Sequence, residues 1–345
     1  MYRNKEIINR QYSKWYFGMS EEAKAGKIKA NEDTYKNKSD RISNCLNLWI
    51  WDKYELNKIL DLQTVNRCKN NRFCPNCRIL DISKFIHKFK DIIIEYMQKD
   101  YHMYMLTLTI PNVKGEELEQ TLRTLSKCFL TLTRRYKSTC KKQHSINIDG
   151  GVRVLEITHN SSVDTYHPHY HCMVMVKDGV PAEFLQKNIK GRYSRKRKSV
   201  NMKSVLDLEI SRYWTLIYQG KSVSKKALRE LDDKDIYECD FCELDEKGFY
   251  EIFKYTFKDV DVDAYKTFVT LELALRYKRL RQGFGLLYNV QCEDIEEGEY
   301  QELQLMFQEE PELMYMQDMR ELYTTYELYK KVSRFNMEID ENLQK

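Results

Sequence analysis

His167-Pro168-His169-Tyr170-His171-Cys172-Met173-Val174-Met175-Val176 decides how this chain is read. Three of the seven histidines fall in its first five residues. The second half is apolar and partly β-branched, which predicts a strand. Side chains two apart on a strand share a face, so His169 and His171 present two imidazoles side by side. Two neutral imidazoles on one rigid face suit a divalent metal. The competing reading is a histidine-rich turn leading into a strand. The scarcity of histidine elsewhere favours the metal.

Working outward, Val152 to Thr158 alternates as a second strand, and the polar turn Asn160-Ser161-Ser162 makes the two strands antiparallel neighbours. Glu156 sits mid-strand among apolar residues, where a carboxylate is costly unless paired or metal-bound. It is the candidate third ligand, with His167 as the fallback. Met103 to Ile110 reads as another strand, ending at Pro111-Asn112. Helical spacing marks Ile82 to Tyr96, Glu116 to Tyr136, Leu206 to Tyr218, Tyr250 to Lys258 and Ala264 to Arg276. Leu46 to Leu62, with Trp49 and Trp51, contains a helix-like apolar stretch, and residues 1–40 read as a polar, helical or partly ordered extension. The order predicts an α+β fold, an antiparallel central sheet with helices on one face.

The chain has 345 residues, enough for one large domain or two smaller ones. No apolar run reaches the length of a membrane span, and the N-terminus lacks a signal-peptide core. An intracellular protein is expected, with cysteines serving as ligands or free thiols. The net charge of +5 is unevenly spread. From Glu293 to Lys345 there are 15 acidic and 5 basic residues, so the preceding 292 residues carry a net +15, which attracts a polyanion. Lys187 to Lys203 holds eight Lys or Arg and no acid, including Lys196, Arg197 and Lys198. It reads either as a solvated loop or as a phosphate-contacting arm. Arg276-Tyr-Lys278-Arg279-Leu-Arg281, followed by Gln282-Gly-Phe-Gly285, mixes cations and aromatics as single-strand binding requires. The acidic tail reads as an amphipathic helix that shields the basic body, contacts a partner or packs on its own domain.

Two more groups carry chemistry. Cys74-Pro-Asn-Cys77 is a zinc half-site. Cys68 and Cys45 lie upstream, and Cys239-Asp-Phe-Cys242 offers a rival pair. On a helix, Glu251, Tyr255 and Lys258 share one face. A phenol becomes a competent nucleophile beside a base, a cation or a metal-polarised electrophile.

Taken in order, Leu106-Thr-Leu-Thr109 with Pro111-Asn112, His167-Pro-His-Tyr-His171 and Glu251-x-x-x-Tyr255-x-x-Lys258 resemble the rolling-circle replication initiators of small bacterial plasmids, within the HUH endonuclease superfamily. The resemblance covers residues 41–290 and implies a ferredoxin- or RRM-like palm. It implies that His169, His171 and Glu156 hold Mg²⁺ or Mn²⁺ against the scissile phosphate. Tyr255 then attacks to leave a 5′-phosphotyrosyl link and a 3′-OH primer, Glu251 serves as general base in the terminating cleavage, and Lys258 as an electrostatic helper. Thr107 and Thr109 would be structural. A structural zinc on Cys45, Cys68, Cys74 and Cys77 matches the family's N-terminal cysteine element. Implied partners are origin DNA, single-stranded or hairpin-extruded, a host helicase and polymerase, and a second copy of the chain, all in a bacterial cytoplasm. The implied organisation is an extension at 1–40, a zinc element at 41–80, a nickase domain at 81–290 and a helical acidic tail at 291–345. The alternatives are an HUH relaxase or transposase, and a non-catalytic zinc-stabilised DNA-binding regulator.

Overall fold

The computed structural model describes residues 2–45, 48–54, 59–137, 145–194, 199–244, 262, 264–290 and 334–338. The chain divides into two compact units, Met1–Lys88 with Cys292–Lys345, and Phe89–Gln291.

In the first unit the expected extension is a packed helical pair, α1 (Tyr2–Lys24) and α2 (Glu32–Ser43). Asn31 caps α2 by accepting from the Asp33 amide. Tyr12, Tyr16 and Met19 of α1 and Tyr35 and Ile42 of α2 are buried, and the Tyr16 and Tyr35 rings stack at 6.3 Å. The polar composition hid this because one aromatic or apolar residue per turn suffices for a narrow seam. The described residues of Leu46 to Leu62 are not helical. They form β1 (Leu48–Tyr54) and the start of β2 (Ile59–Val65), which pair antiparallel. A short apolar run is ambiguous by periodicity alone, and the Trp and Ile enrichment here belongs to a strand. α3 (Pro75–Met97) follows and runs on into the second unit.

The second unit is built on a six-stranded antiparallel sheet. Its elements are β3 (Tyr101–Thr109), β4 (Val113–Lys114), α4 (Gly115–Arg135), β5 (Gly150–Asn160), β6 (Thr165–Lys177), α5 (Ala182–Leu185), a separate ribbon of β7 (Ile189–Ser194) and β8 (Ser199–Lys203), α6 (Val205–Tyr218), α7 (Lys225–Glu230), β9 (Cys239–Glu243), α8 (Tyr265–Ala274) and β10 (Arg281–Gly285). The strand order is β10-β5-β6-β3-β9, with β4 on β6. β11 (Arg334–Glu338) belongs to the first unit and pairs with β1. The tail was expected to be helical, but this described part of it is strand, and the rest lies outside the described residues.

Pleating divides the sheet into two faces. One carries Tyr104, Tyr170, Phe241 and Phe284 and packs under α4 and α6. Leu118, Leu122, Leu125, Phe129 and Leu132 form the buried stripe of α4, and Phe129 meets Tyr170 and Phe284 edge-on at 5.4 and 5.1 Å. Trp214 of α6 donates from Nε1 to the Thr109 carbonyl at 2.7 Å. The expectation of helices on one face needs correction. On the opposite face, Phe89 of α3 lies against Gly283, where a β-carbon would sit 2.9 Å from the ring. Met103, Met105, Val152, Met173 and Met175 make that end of the face apolar and buried, so it needs cover. The other end of the same face holds the polar residues described below.

Among the described residues, no helix is long and apolar enough to cross a membrane.

Candidate functional site

Register brings the site together. Glu156 of β5 stands opposite His169 of β6, and Val154 opposite His171. Opposed residues in an antiparallel pair share a face, so the carboxylate and both imidazoles converge. Glu156 Oε2 lies 3.0 Å from His169 Nε2 and 2.9 Å from His171 Nε2, and all three residues are buried. Burial by itself would raise the Glu156 pKa. Hydrogen bonds from His169 and His171, and then their charges, outweigh it and bring the carboxyl down to about 2. An ionised carboxylate between two imidazoles is a ligand set of mixed oxygen and nitrogen.

The remaining ring nitrogens are braced. His169 Nδ1 lies 3.1 Å from the His167 carbonyl, and His171 Nδ1 lies 3.3 Å from Thr107 Oγ1 on the next strand. Donation from Nδ1–H to these oxygens would free each Nε2 lone pair once a cation replaces the Nε2 contacts to Glu156. A small hard cation with ligands at about 2.1 Å in an octahedron places adjacent donors about 3 Å apart, which is the spacing found here. The residues therefore fit Mg²⁺ or Mn²⁺. Glu156 completes the set with His169 and His171, and His167 is not part of it. Burial, and then the charge of His169, lower the His167 pKa.

A second donor set forms in the first unit from Cys45, Cys68, Cys74 and Cys77. The Cys45–Cys77, Cys68–Cys77 and Cys45–Cys74 sulfurs are 3.7, 3.5 and 3.6 Å apart. Four thiolates around one zinc at about 2.3 Å would be about 3.8 Å apart, so the cluster fits a tetrahedral ion. Hydrogen bonds from Cys45, Cys68 and Cys74 hold the Cys77 thiol well below its usual range, while hydrogen bonding to the other three, and burial, push Cys45 up. A divalent cation stabilises all four as thiolates. The rival pair does not join. Cys239 and Cys242 stand three residues apart on β9, on opposite faces of the sheet.

The other anticipated residues are distributed unevenly. Glu251, Tyr255 and Lys258 lie outside the described residues, as do Lys196, Arg197 and Lys198. The basic run from Lys187 to Lys203 contains the β7–β8 ribbon, and its two end residues point inward, contrary to a phosphate-contacting role for them. Lys187 Nζ donates to Asp207, Asp240 and the Phe241 carbonyl at 2.6, 3.0 and 3.0 Å. Lys203 Nζ donates to the Cys239 carbonyl at 2.8 Å. Arg276, Lys278 and Arg279 lie in the turn between α8 and β10. Arg281 starts β10 and is buried, opposite Val154 on the face that carries Glu156, so it is not a freely exposed cation. Sequence reasoning missed the role of Thr107 as the brace for His171. The signal was the β3–β6 register, which alternation alone does not supply.

The family model described as replication protein (Rep_1) matches residues 59–333. A Protein rep from a Bacillus species is 29% identical over 299 residues, covering 81% of this chain and 90% of the relative. A Staphylococcus aureus Protein rep is 31% identical over 208 residues, 59% of this chain and 80% of the relative. A Streptococcus pneumoniae Protein rep is 39% identical over 112 residues, 32% of this chain and 33% of the relative. No solved structure matches the chain at a significant level. The strands bearing Glu156, His169 and His171 and the cysteine cluster lie inside the matched span apart from Cys45, and the chain belongs to the Rep_1 replication proteins, a family of plasmid rolling-circle replication initiators.

Proposed function

We propose that this chain nicks one DNA strand at a plasmid origin and later rejoins it, with an HUH endonuclease fold in the Phe89–Gln291 unit, where the sequence reading put the domain at 81–290. The observation that carries the reading is the buried convergence of Glu156, His169 and His171 at octahedral spacing. When bound there, Mg²⁺ or Mn²⁺ supplies a Lewis acid for a phosphate oxygen. The three ligands fix the position of the scissile phosphate. The Tyr255 oxygen attacks phosphorus as its proton leaves, the bond from phosphorus to the 3′ oxygen breaks, and that oxygen takes up a proton. The products are a 5′-phosphotyrosyl link and a free 3′-OH, which a host helicase and polymerase extend. The four-residue spacing from Glu251 to Tyr255 supports Glu251 as the base that activates the incoming nucleophile in the terminating step. Lys258 offsets charge on the phosphate. Cys45, Cys68, Cys74 and Cys77 hold a structural zinc, and the basic residues 196–198, with Arg276, Lys278 and Arg279, engage the DNA.

The test uses the full chain, Mn²⁺ and labelled single-stranded oligonucleotides from its own replicon. Wild type is expected to give a covalent adduct on a denaturing gel, and Tyr255→Phe none. An adduct that survives in Tyr255→Phe removes the tyrosine mechanism. No adduct from wild type leaves the non-catalytic regulator as the better reading. Transfer to a second oligonucleotide without dependence on origin sequence favours a transposase or relaxase.

A further inference from the structure

We propose that Tyr277 is the platform on which one unpaired base of the DNA strand stacks as it enters the metal-ligand site. This rests on the nicking reading above and adds a residue that recognises the strand. α8 ends at Ala274, and the chain reverses in a tight turn in which the Lys278 amide donates to the Leu275 carbonyl at 3.0 Å. It rejoins the sheet at Leu280, whose carbonyl accepts from the Leu155 amide at 2.7 Å, and Arg281 then pairs with Val154. Leu155 immediately precedes Glu156. The turn therefore rejoins the sheet beside the residue that precedes Glu156.

Two properties of Tyr277 are unexplained by folding. It is 92% exposed, more than any other large apolar or aromatic side chain among the described residues. Its φ of 61° lies in the left-handed region, where a bulky residue is disfavoured and glycine or asparagine would serve the turn without strain. Strained, exposed residues beside a reactive centre are candidates for function. The surroundings identify the ligand. Arg276, Lys278 and Arg279 lie within two residues of Tyr277 in the chain, and no acidic residue occurs between Glu272 and Glu293. An aromatic face amid cations suits a base and its adjoining phosphates, and stacking tolerates any base identity. A folded duplex hides base faces, so the occupant is single-stranded DNA.

The test compares the full-length wild type with Tyr277→Gly and Tyr277→Trp. The probe is a fluorescently labelled single-stranded oligonucleotide spanning the origin nick sequence. Tyr277→Gly should weaken binding about tenfold or more, with no loss of thermal stability, because glycine takes the φ without strain. Tyr277→Trp should bind like wild type, and its additional indole fluorescence, read as a difference from wild type, should be quenched by the oligonucleotide. Wild-type binding by Tyr277→Gly, or an indole indifferent to DNA, overturns the proposal. The two readings fail separately. Weak binding by Tyr277→Gly alongside a wild type that forms no adduct keeps the stacking platform and removes nicking. Adduct formation with unaltered binding by Tyr277→Gly does the reverse.

Discussion

Thr107 decides which nitrogen of His171 faces Glu156. Its hydroxyl, 3.3 Å from Nδ1, can accept the ring proton when a bound cation takes Nε2. Replacing the hydroxyl by a methyl frees the imidazole to take the other tautomer or to rotate. Thr107→Val should therefore weaken Mn²⁺ binding about 10- to 100-fold, measured by calorimetry, and Thr107→Ser should restore it. Equal affinity in all three proteins would show that the hydroxyl has no part in ordering the ring. His169 differs, because its brace is the backbone carbonyl of His167, and no side-chain change removes that. The contrast marks how far the sequence could be read here. Glu156 was legible, since a lone carboxylate in an apolar strand needs a partner. His169 and His171 were legible from alternation. Thr107 was not, because its partner depends on a strand register set by the packing of the whole sheet.

At the scale of elements, β9 explains why a basic run misleads. It is an edge strand, and an unpaired edge exposes backbone groups to other chains. Here side chains close it. The Cys239 amide donates to Ser211 Oγ at 2.9 Å and the Phe241 amide to Asp207 Oδ1 at 2.7 Å, while Lys203 and Lys187 donate to the two carbonyls. Asp207 is fully buried and also accepts from the Ser204 amide at the start of α6, so one carboxylate joins helix cap, strand edge and lysine. Composition supplies the charge of Lys187 but not its direction. Lys187→Met keeps the aliphatic stem and strands the Asp207 charge, at a cost of about 2 kcal/mol once partial exposure of the lysine is allowed for, read from urea unfolding. The salt dependence of DNA binding should keep its slope, whereas loss of a phosphate contact would reduce that slope by about 0.7 to 0.9. A reduced slope would return Lys187 to the DNA surface. Burial alone would lower the lysine pKa, but Asp207 and then Asp240 hold it above the usual 10.5. Above the carboxylate range the stability difference between wild type and Lys187→Met should thus be constant up to pH 10.5 and close as pH rises through the higher folded value. A similar limit affected β1 and β2, where a short apolar stretch fits either period and its aromatic content had to decide.

For the molecule as a whole, the two donor sets call for different metals and belong to different compact units. The cysteine loop is joined to the helical pair of its own unit. Asn70 Nδ2 donates to the Tyr16 hydroxyl at 2.7 Å, and Phe73 meets the Tyr12 ring at 5.6 Å. Losing a tetrahedral ion there leaves four buried thiols crowded together, so α1, α2 and the loop lose their anchor. The carboxylate and imidazoles of the sheet unit hydrogen-bond to one another and are carried on long paired strands, so they stay ordered without a cation. A zinc-selective chelator should release about one zinc per chain, the capacity of a single four-cysteine site. Amide exchange should accelerate in α1 and α2 and stay at native rates in β5 and β6. A chelator able to remove only Mg²⁺ or Mn²⁺ should abolish adduct formation and leave exchange unchanged throughout. Equal acceleration in the sheet after zinc release would mean that the units fold as one and that the cysteine site supports the face carrying Glu156, His169 and His171. Protection confined to the sheet would instead make the zinc-bound module a separately stabilised part of the protein.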